Sequence, residues 1–482
     1  MNEDLISQLR KIVGEDYVIT RRDQMESYLS DETSTSVRPR PASGCVLVKP
    51  SDSHQVSQIM QLANLTKTPV YPRGGGTGLV GGAVPTMEGI IVSMEKLDSI
   101  EVDKENLMAV VGAGATLGKL LKAADDAGLS FPPHPGDEGA QMGGLIVCNA
   151  GGARAVKHGI MRNFVKGLEV VLPTGEIVNF GGKLLKDNMG YSLMHLIIGS
   201  EGTLGIVTKA IIRLMPKAEH TITLLLPFNS RVEALSAVPK ILYNGITPLA
   251  LEYVEKEVME ISAEHLGEKW NVEGKVFLIT ILAGGENEVY REAEEISRIC
   301  VENGGLEPSI AERRDEQESI LKIRSNIYTA LKADYVDIMD TTVPPSNIGR
   351  LADIIDKIAA KYGAYIPVYG HAADGNVHSH VMKKDFDKYE KIKGEIYDAA
   401  VALGGVITGE HGIGKIRVRE LYKFSSPKAI ELMAAIKKAF DPNGILNPST
   451  VLASGTLASS PGNHLPNTLK PEEKRSSEQD VR

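Results

Sequence analysis

Pro72-Arg73-Gly74-Gly75-Gly76-Thr77-Gly78-Leu79-Val80-Gly81-Gly82 places six glycines within ten residues. Without Cβ atoms, successive N–H groups can converge on one point and a pyrophosphate can approach the backbone closely. The stretch predicts a phosphate-bearing cofactor, with a ligand-free glycine-rich hairpin as the alternative. Gly76, Gly78 and Gly81 satisfy G-x-G-x-x-G after the strand-like Thr68-Pro69-Val70-Tyr71, and Glu95 follows at about the interval a nicotinamide dinucleotide site uses. Such a site next needs a helix whose N-terminus faces the pyrophosphate. Here Gly82, Pro85 and Gly89 interrupt the chain before a helix can form, and Ile90-Ile91-Val92 reads as another strand.

Further small-residue turns follow between residues 132 and 208: Pro135-Gly136, Gln141-Met142-Gly143-Gly144, Asn149-Ala150-Gly151-Gly152 and Gly199-Ser200-Glu201-Gly202-Thr203-Leu204-Gly205-Ile206-Val207. Several turns of this kind suit a long ligand touched at several points. Together with Arg73-Gly74-Gly75-Gly76-Thr77-Gly78 they resemble the PCMH-type FAD-binding domain of the vanillyl-alcohol oxidase superfamily, in its D-lactate dehydrogenase and glycolate oxidase branch. The resemblance implies that the first loop holds the pyrophosphate. It also implies that Pro135, Gly136, Gly143, Gly144, Asn149, Gly151, Glu201, Gly205, Ile206 and Val207 line the rest of the cofactor. Members that attach flavin covalently use a histidine in or just after the first loop; Thr77 and Gly78 stand there, so noncovalent FAD is expected.

The chain has 482 residues, 42% of them hydrophobic, enough for two or three domains with a substantial core. A net charge of −9 and the lack of a basic cluster with interleaved aromatics exclude a nucleic-acid surface. The N-terminus is acidic, and Leu5, Leu9, Ile12 and Val13 follow helical spacing, so it reads as a packed helix rather than a targeting peptide. No apolar run reaches membrane-spanning length. Cys45, Cys148 and Cys300 are isolated, which gives neither a disulfide framework nor iron–sulfur spacing. The expected setting is cytoplasmic, with peripheral attachment to a membrane complex as the variant.

Residues 53–66 carry a helical apolar pattern, after which strand and turn signals dominate to Pro216. Beyond that point, strands at 221–226 and 276–280 alternate with helical segments at 319–332 and 348–362. The fold class is therefore α+β, a FAD-binding domain over 1–216 and an α+β substrate (cap) domain over 217–408 with a mostly antiparallel sheet. Residues 409–452, with Ile445-Leu446-Asn447-Pro448 near their end, return to the flavin domain by the same resemblance and bring Asn447 to the cofactor. The tail over 453–482, rich in Ser, Pro, Lys and Glu, is expected to be disordered.

A second constellation is Gly370-His371-Ala372-Ala373-Asp374-Gly375-Asn376-Val377-His378-Ser379-His380, followed about thirty residues later by Gly409-Glu410-His411-Gly412; these two pieces hold four of the eleven histidines. Imidazoles of His371 and His378 with the carboxylate of Glu410 compose a three-ligand metal site with open positions; hydrogen-bonded histidines at a turn are the alternative. Zn²⁺ fits such ligands best, and Fe²⁺ or Mn²⁺ would accept them. Both pieces resemble the metal-dependent D-2-hydroxyacid dehydrogenases of the same branch, apart from Ala373, where glycine is usual. His411, beside ligand Glu410, is the candidate base, with a hydrogen-bonding role as its alternative. By the resemblance, Arg324 in Ile320-Leu321-Lys322-Ile323-Arg324 grips the substrate carboxylate, although Leu321 replaces the usual tryptophan, and Asn376 orients the substrate. Tyr328, one helical turn beyond Arg324, would share its face.

The expected activity is FAD-dependent oxidation of a D-2-hydroxy acid, D-lactate or glycolate foremost and D-2-hydroxyglutarate next. Alternatives are an alkyl-glycerone-phosphate synthase, a zinc hydrolase using His371, His378 and Glu410, and an electron-transfer flavoprotein subunit without substrate chemistry. A hydroxyacid oxidation passes its electrons to a separate acceptor: electron-transferring flavoprotein, an iron–sulfur subunit, a quinone or oxygen.

Overall fold

In a computed structural model, described over residues 1–454, the glycine stretch leaves the end of a parallel strand. Asp52 caps the helix Ser53–Thr66 by accepting from Gln55 N, and Lys67 in the left-handed region ends it. Its apolar face, Val56, Ile59, Met60 and Ala63, packs onto a four-stranded sheet ordered Val18–Ile19, Val46–Val48, Ile90–Ser93, Val70–Arg73. No helix intervenes between Arg73 and Ile90, so the chain passes directly from loop to strand.

A five-stranded antiparallel sheet follows, ordered Ile100–Asp103, Met108–Gly112, Ile206–Arg213, Val165–Val171, Ile177–Gly181. Its apolar face shares one core with the first sheet. Helices also occur in this region, contrary to the reading of strands and turns: Leu117–Asp126, capped by Thr116, and the short Met142–Val147. Residues near the chain end join the same core, with Val70 N donating to Ile445 O at 2.8 Å and Asn447 N to Val70 O at 2.8 Å.

Leu129–Ser130 and Met215–Pro216 pair as a two-stranded sheet, and a further sheet has seven strands, all antiparallel: Ser309–Ala311, His220–Phe228, Val276–Gly284, Ala250–Glu255, Val368–His371, Asn376–Met382, Tyr335–Thr342. Helices Arg231–Tyr243, Glu286–Glu302, Ile348–Tyr362 and Tyr389–Ala402 cover one face. Lys256–His265, Arg314–Ser325 and Ile327–Leu331 cover the other. Burial on both faces explains the unbroken apolar runs of the central strands. The helix expected over 319–332 starts earlier, at Arg314, and is interrupted at Asn326. The disorder expected of 453–482 falls, from residue 455 onward, outside the described residues. Among the described residues no helix is long and apolar enough to cross a membrane, and all three cysteines are free.

Candidate active site

The metal candidates lie on two adjacent strands and one loop. His371 ends the strand Val368–His371, His378 lies on Asn376–Met382, and the hairpin between them turns through Asp374-Gly375. The loop 408–411 is folded onto the neighbouring strand Tyr335–Thr342 by a single carboxylate, Asp340. One oxygen of fully buried Asp340 accepts from Thr408 Oγ1 (2.9 Å) and from the backbone N–H groups of Gly409 (3.0 Å), Glu410 (2.9 Å) and His411 (2.7 Å). Its other oxygen accepts from Asn376 Nδ2 at 2.7 Å. Four donors on one oxygen leave that atom little capacity for a fifth partner, which makes Asp340 the organiser of the loop.

Around Glu410 Oε1 stand His378 Nε2 at 3.3 Å, His371 Nε2 at 3.6 Å and His411 Nε2 at 4.0 Å. Ligand atoms of Asp340, His378, Glu410 and His411 all fall within 4.8 Å of one another. Such a convergence of imidazole nitrogens on a carboxylate oxygen fits a divalent cation. His378 Nδ1 and His411 Nδ1 are buried without a hydrogen bond and face Asp340 at 3.6 and 3.8 Å.

Burial penalises every charge here, and the partners decide the outcome. Glu252 and Glu410 outweigh burial at His371 and hold it well above the usual histidine range. Burial likewise works against ionised Glu410, but His371 and His378 carry its carboxyl well below the usual range. At His411 burial dominates and lowers the pKa, so the ring favours its neutral form.

Arg324 lies beside this cluster with its guanidinium 5.0 Å from the Tyr369 ring and one amino group paired with Glu252. Its Nε is buried and without a partner. Asn376 spends its amide nitrogen on Asp340 and Thr342, while its Oδ1 is buried and free. Tyr328 donates its hydroxyl to Glu32 Oε2 at 3.4 Å. His380 bonds Tyr369 OH at 3.0 Å and takes no part in the carboxylate cluster; burial drives its pKa down to about 3.

The predicted cofactor residues form adjoining turns. Beside Gly74 lie Gln141, whose Oε1 is buried and unpartnered, and Gly144; positions for a Cβ at Gly78, Gly136 and Gly144 point into open space. Open backbone and an orphaned acceptor beside a glycine loop fit an extended dinucleotide. The Arg73 guanidinium tucks under Gly76 and donates to Ser30 O (2.5 Å) and Ser27 O (2.8 Å). Gly75 and Thr77 stay within the loop, where a Cβ at Gly75 would lie 3.5 Å from Thr77 Cγ2. Pro135 packs under Gly152, Asn149 Oδ1 accepts from Arg162 N at 3.1 Å, and Gly143 lets its helix approach Ala113. Gly205, Ile206 and Val207 are tied into the sheet core, where a Cβ at Gly205 would lie 2.5 Å from Val170.

Two contacts join the glycine turns to the loop 408–414. A Cβ on Gly151 would lie 3.1 Å from Glu410 Oε2. Glu201 accepts from Ile413 N (2.8 Å) and Gly414 N (2.7 Å), and its own carbonyl accepts from Asn447 Nδ2 at 2.9 Å. Glu201 and Asn447 thus act as clamps, with Lys415 Nζ bridging Gly82 O, Asn447 Oδ1 and Thr450 Oγ1 at 2.7–3.0 Å. Burial among these neutral acceptors lowers Lys415 to about 7. Asp340, Glu252 and Arg417 are the residues that sequence reasoning missed. Arg417 is buried, reaches Gly412 O at 3.3 Å and Ile338 O, and fixes the loop from below. The available signal for Asp340 and Glu252 was a carboxylate flanked by apolar residues within a strand, Ile338-Met339-Asp340 and Leu251-Glu252-Tyr253, which needs a buried partner.

Comparison with known proteins places this geometry in context. Residues 45–181 match the family described as FAD binding domain, and residues 217–451 match FAD linked oxidases, C-terminal domain. A protein of Archaeoglobus fulgidus named D-lactate dehydrogenase is 45% identical over 430 residues, covering 89% of this chain and 96% of that protein. Glycolate oxidase subunit GlcD of Bacillus subtilis is 36% identical over 416 residues, 84% of this chain and 88% of that one. Among solved structures, 4-ethylphenol oxidase from Gulosibacter chungangensis shares the fold with a TM-score of 0.76 at 18% identity, over 94% of this chain and 97% of that one.

Proposed function

The chain belongs to the FAD-linked oxidases, and from that premise we propose that it oxidises a short D-2-hydroxy acid, D-lactate or glycolate, to the 2-oxo acid. The observation that carries this reading is the gathering of three imidazole Nε2 atoms around Glu410 Oε1 beside an arginine with a free buried donor. Noncovalent FAD at the glycine turns would take a hydride from the α-carbon at N5, while a divalent metal, Zn²⁺ before Fe²⁺ or Mn²⁺, would acidify the substrate hydroxyl.

His371, His378 and Glu410 are the ligands of choice; Asp340 is disfavoured because one of its oxygens already accepts four hydrogen bonds. Arg324 holds the substrate carboxylate with the donors that Glu252 does not use. His411 takes the hydroxyl proton; its backbone is fixed by Asp340 and its Nδ1 faces the same carboxylate. Asn376, anchored through its amide nitrogen, orients the substrate with its free Oδ1.

Chain length of the substrate follows from the cations. A second carboxylate would need another positive group, yet the side chains of Arg313, Arg314 and Lys322 are 70%, 92% and 57% exposed and paired with Glu316, Glu318 and Glu268. Lys332 is likewise paired with Glu32. This favours a monocarboxylate over D-2-hydroxyglutarate. The grouped metal ligands argue against an alkyl-glycerone-phosphate synthase or a bare electron carrier, and the FAD-binding turns argue against a zinc hydrolase. Electrons then leave for a separate acceptor, an electron-transferring flavoprotein or iron–sulfur subunit fitting a chain whose three cysteines are free.

Replacing His371 or Glu410 by alanine tests the metal assignment. Both variants should keep bound FAD and lose zinc, with flavin reduction by substrate falling at least a hundredfold; turnover retained without metal would refute it.

A further inference from the structure

Glu252 lies in the strand Ala250–Glu255, in register opposite His371, at the centre of the seven-stranded sheet. It is 3% exposed, and both of its oxygens are in use. Oε1 is 2.6 Å from His371 Nδ1, and Oε2 is paired with Arg324 Nη2. A carboxylate this deeply buried requires compensating donors, and these two satisfy it. We propose that Glu252 is a positioning residue that joins the substrate-carboxylate grip to the metal site. It holds the Arg324 guanidinium in place and fixes the tautomer of His371. This rests on the metal-dependent reading above.

The tautomer argument is specific. Once a metal has displaced the Nε2 proton, the carboxylate at Oε1 keeps the remaining proton on Nδ1 and leaves the Nε2 lone pair directed toward Glu410. A glutamine at this position offers one acceptor and one donor to two donors. With its oxygen on Arg324, its NH₂ faces His371 Nδ1 and selects the tautomer whose proton sits on Nε2, which cannot bind a metal. With its oxygen on His371, its NH₂ opposes the guanidinium and displaces it. One substitution therefore damages zinc affinity, substrate affinity or both, without touching the FAD turns.

The test uses full-length holoprotein carrying Glu252→Gln. Zinc affinity is measured by competition with a chromophoric chelator, FAD occupancy by visible absorbance, and KM and kcat separately. Loss of a carboxylate behind a metal-bound histidine costs about 10- to 100-fold in metal affinity, and that fall is expected with FAD occupancy unchanged. KM at saturating zinc should rise several-fold more than kcat falls. Glu252→Asp, which keeps the charge but is too short to touch both partners, should recover one of the two losses, and it substitutes if the glutamine variant does not fold. A purely structural role would lower thermal stability and FAD occupancy while leaving zinc affinity and KM at wild-type values, and that result overturns the proposal. Wild-type protein that takes up no zinc would overturn the metal-dependent reading beneath it.

Discussion

Asp340→Asn isolates the group on which the metal loop is built. The wild-type carboxylate accepts four donors from 408–411 on one oxygen and Asn376 Nδ2 on the other. Asparagine can keep an oxygen toward the loop only by turning its NH₂ to Asn376, which either opposes Asn376 Nδ2 across the former 2.7 Å hydrogen bond or makes that amide turn over and give up its donation to Thr342 Oγ1. Hydrogen bonds to a charged acceptor contribute roughly 1.5–3 kcal/mol against about 0.5–1.5 for neutral ones, so several weakened bonds cost about 2–4 kcal/mol. At about 1.36 kcal/mol per decade this is roughly a 30- to 1,000-fold loss in the population of the ordered loop. Stopped-flow flavin reduction under anaerobic conditions and zinc content per FAD should both fall, while FAD remains bound because Glu201 and the glycine turns are untouched. Burial acts to raise the Asp340 pKa, but His411 and His378 hold the folded value below its ordinary one. A carboxyl depressed on folding gives stability that is full above its unfolded pKa and is lost only as pH falls through the folded value. The difference between variant and wild type should therefore be flat from about pH 6 to 8 and shrink in acid below about pH 3.9. A variant reducing flavin within threefold of wild type, with full zinc, would refute Asp340 as the loop's organiser.

Gly151→Ala places a methyl 3.1 Å from Glu410 Oε2 and should weaken zinc binding several-fold while sparing the fold, as chelator competition would read. Glu201→Gln replaces one of two acceptors for Ile413 N and Gly414 N with a donor; with Glu201 half-buried, the melting temperature and FAD retention should both fall. D-2-Hydroxyglutarate should show a kcat/KM at least tenfold below that of D-lactate because Arg313, Arg314 and Lys322 are paired with carboxylates, and equal values would mean that another cation, such as part-buried Arg154, grips the second carboxylate.

What was legible in the sequence was local chemistry. The six glycines of 73–82 needed no tertiary partner to announce close backbone approach, and His371, His378 and Glu410-His411 are compact pairs on a hairpin and a loop. Asp340, Glu252 and Arg417 were not legible in this way because each acts through residues from 70 to 120 positions away, brought together by sheet order. Tyr328 follows the short break at Asn326, and what helical spacing alone could not supply is its partner, Glu32, almost three hundred residues upstream. Arg73 shows the same limit from the other side. The motif marks its backbone as part of the loop, but the carbonyls of Ser27 and Ser30, more than forty residues upstream, claim its guanidinium.

The most direct test of the central claim is the anaerobic visible spectrum of the purified, zinc-loaded protein before and after D-lactate, with L-lactate as the paired control. A yellow flavin bleached by the D-isomer alone is the predicted result. A flavin that neither D-lactate nor glycolate reduces, or a colourless protein that takes up no FAD, would contradict it.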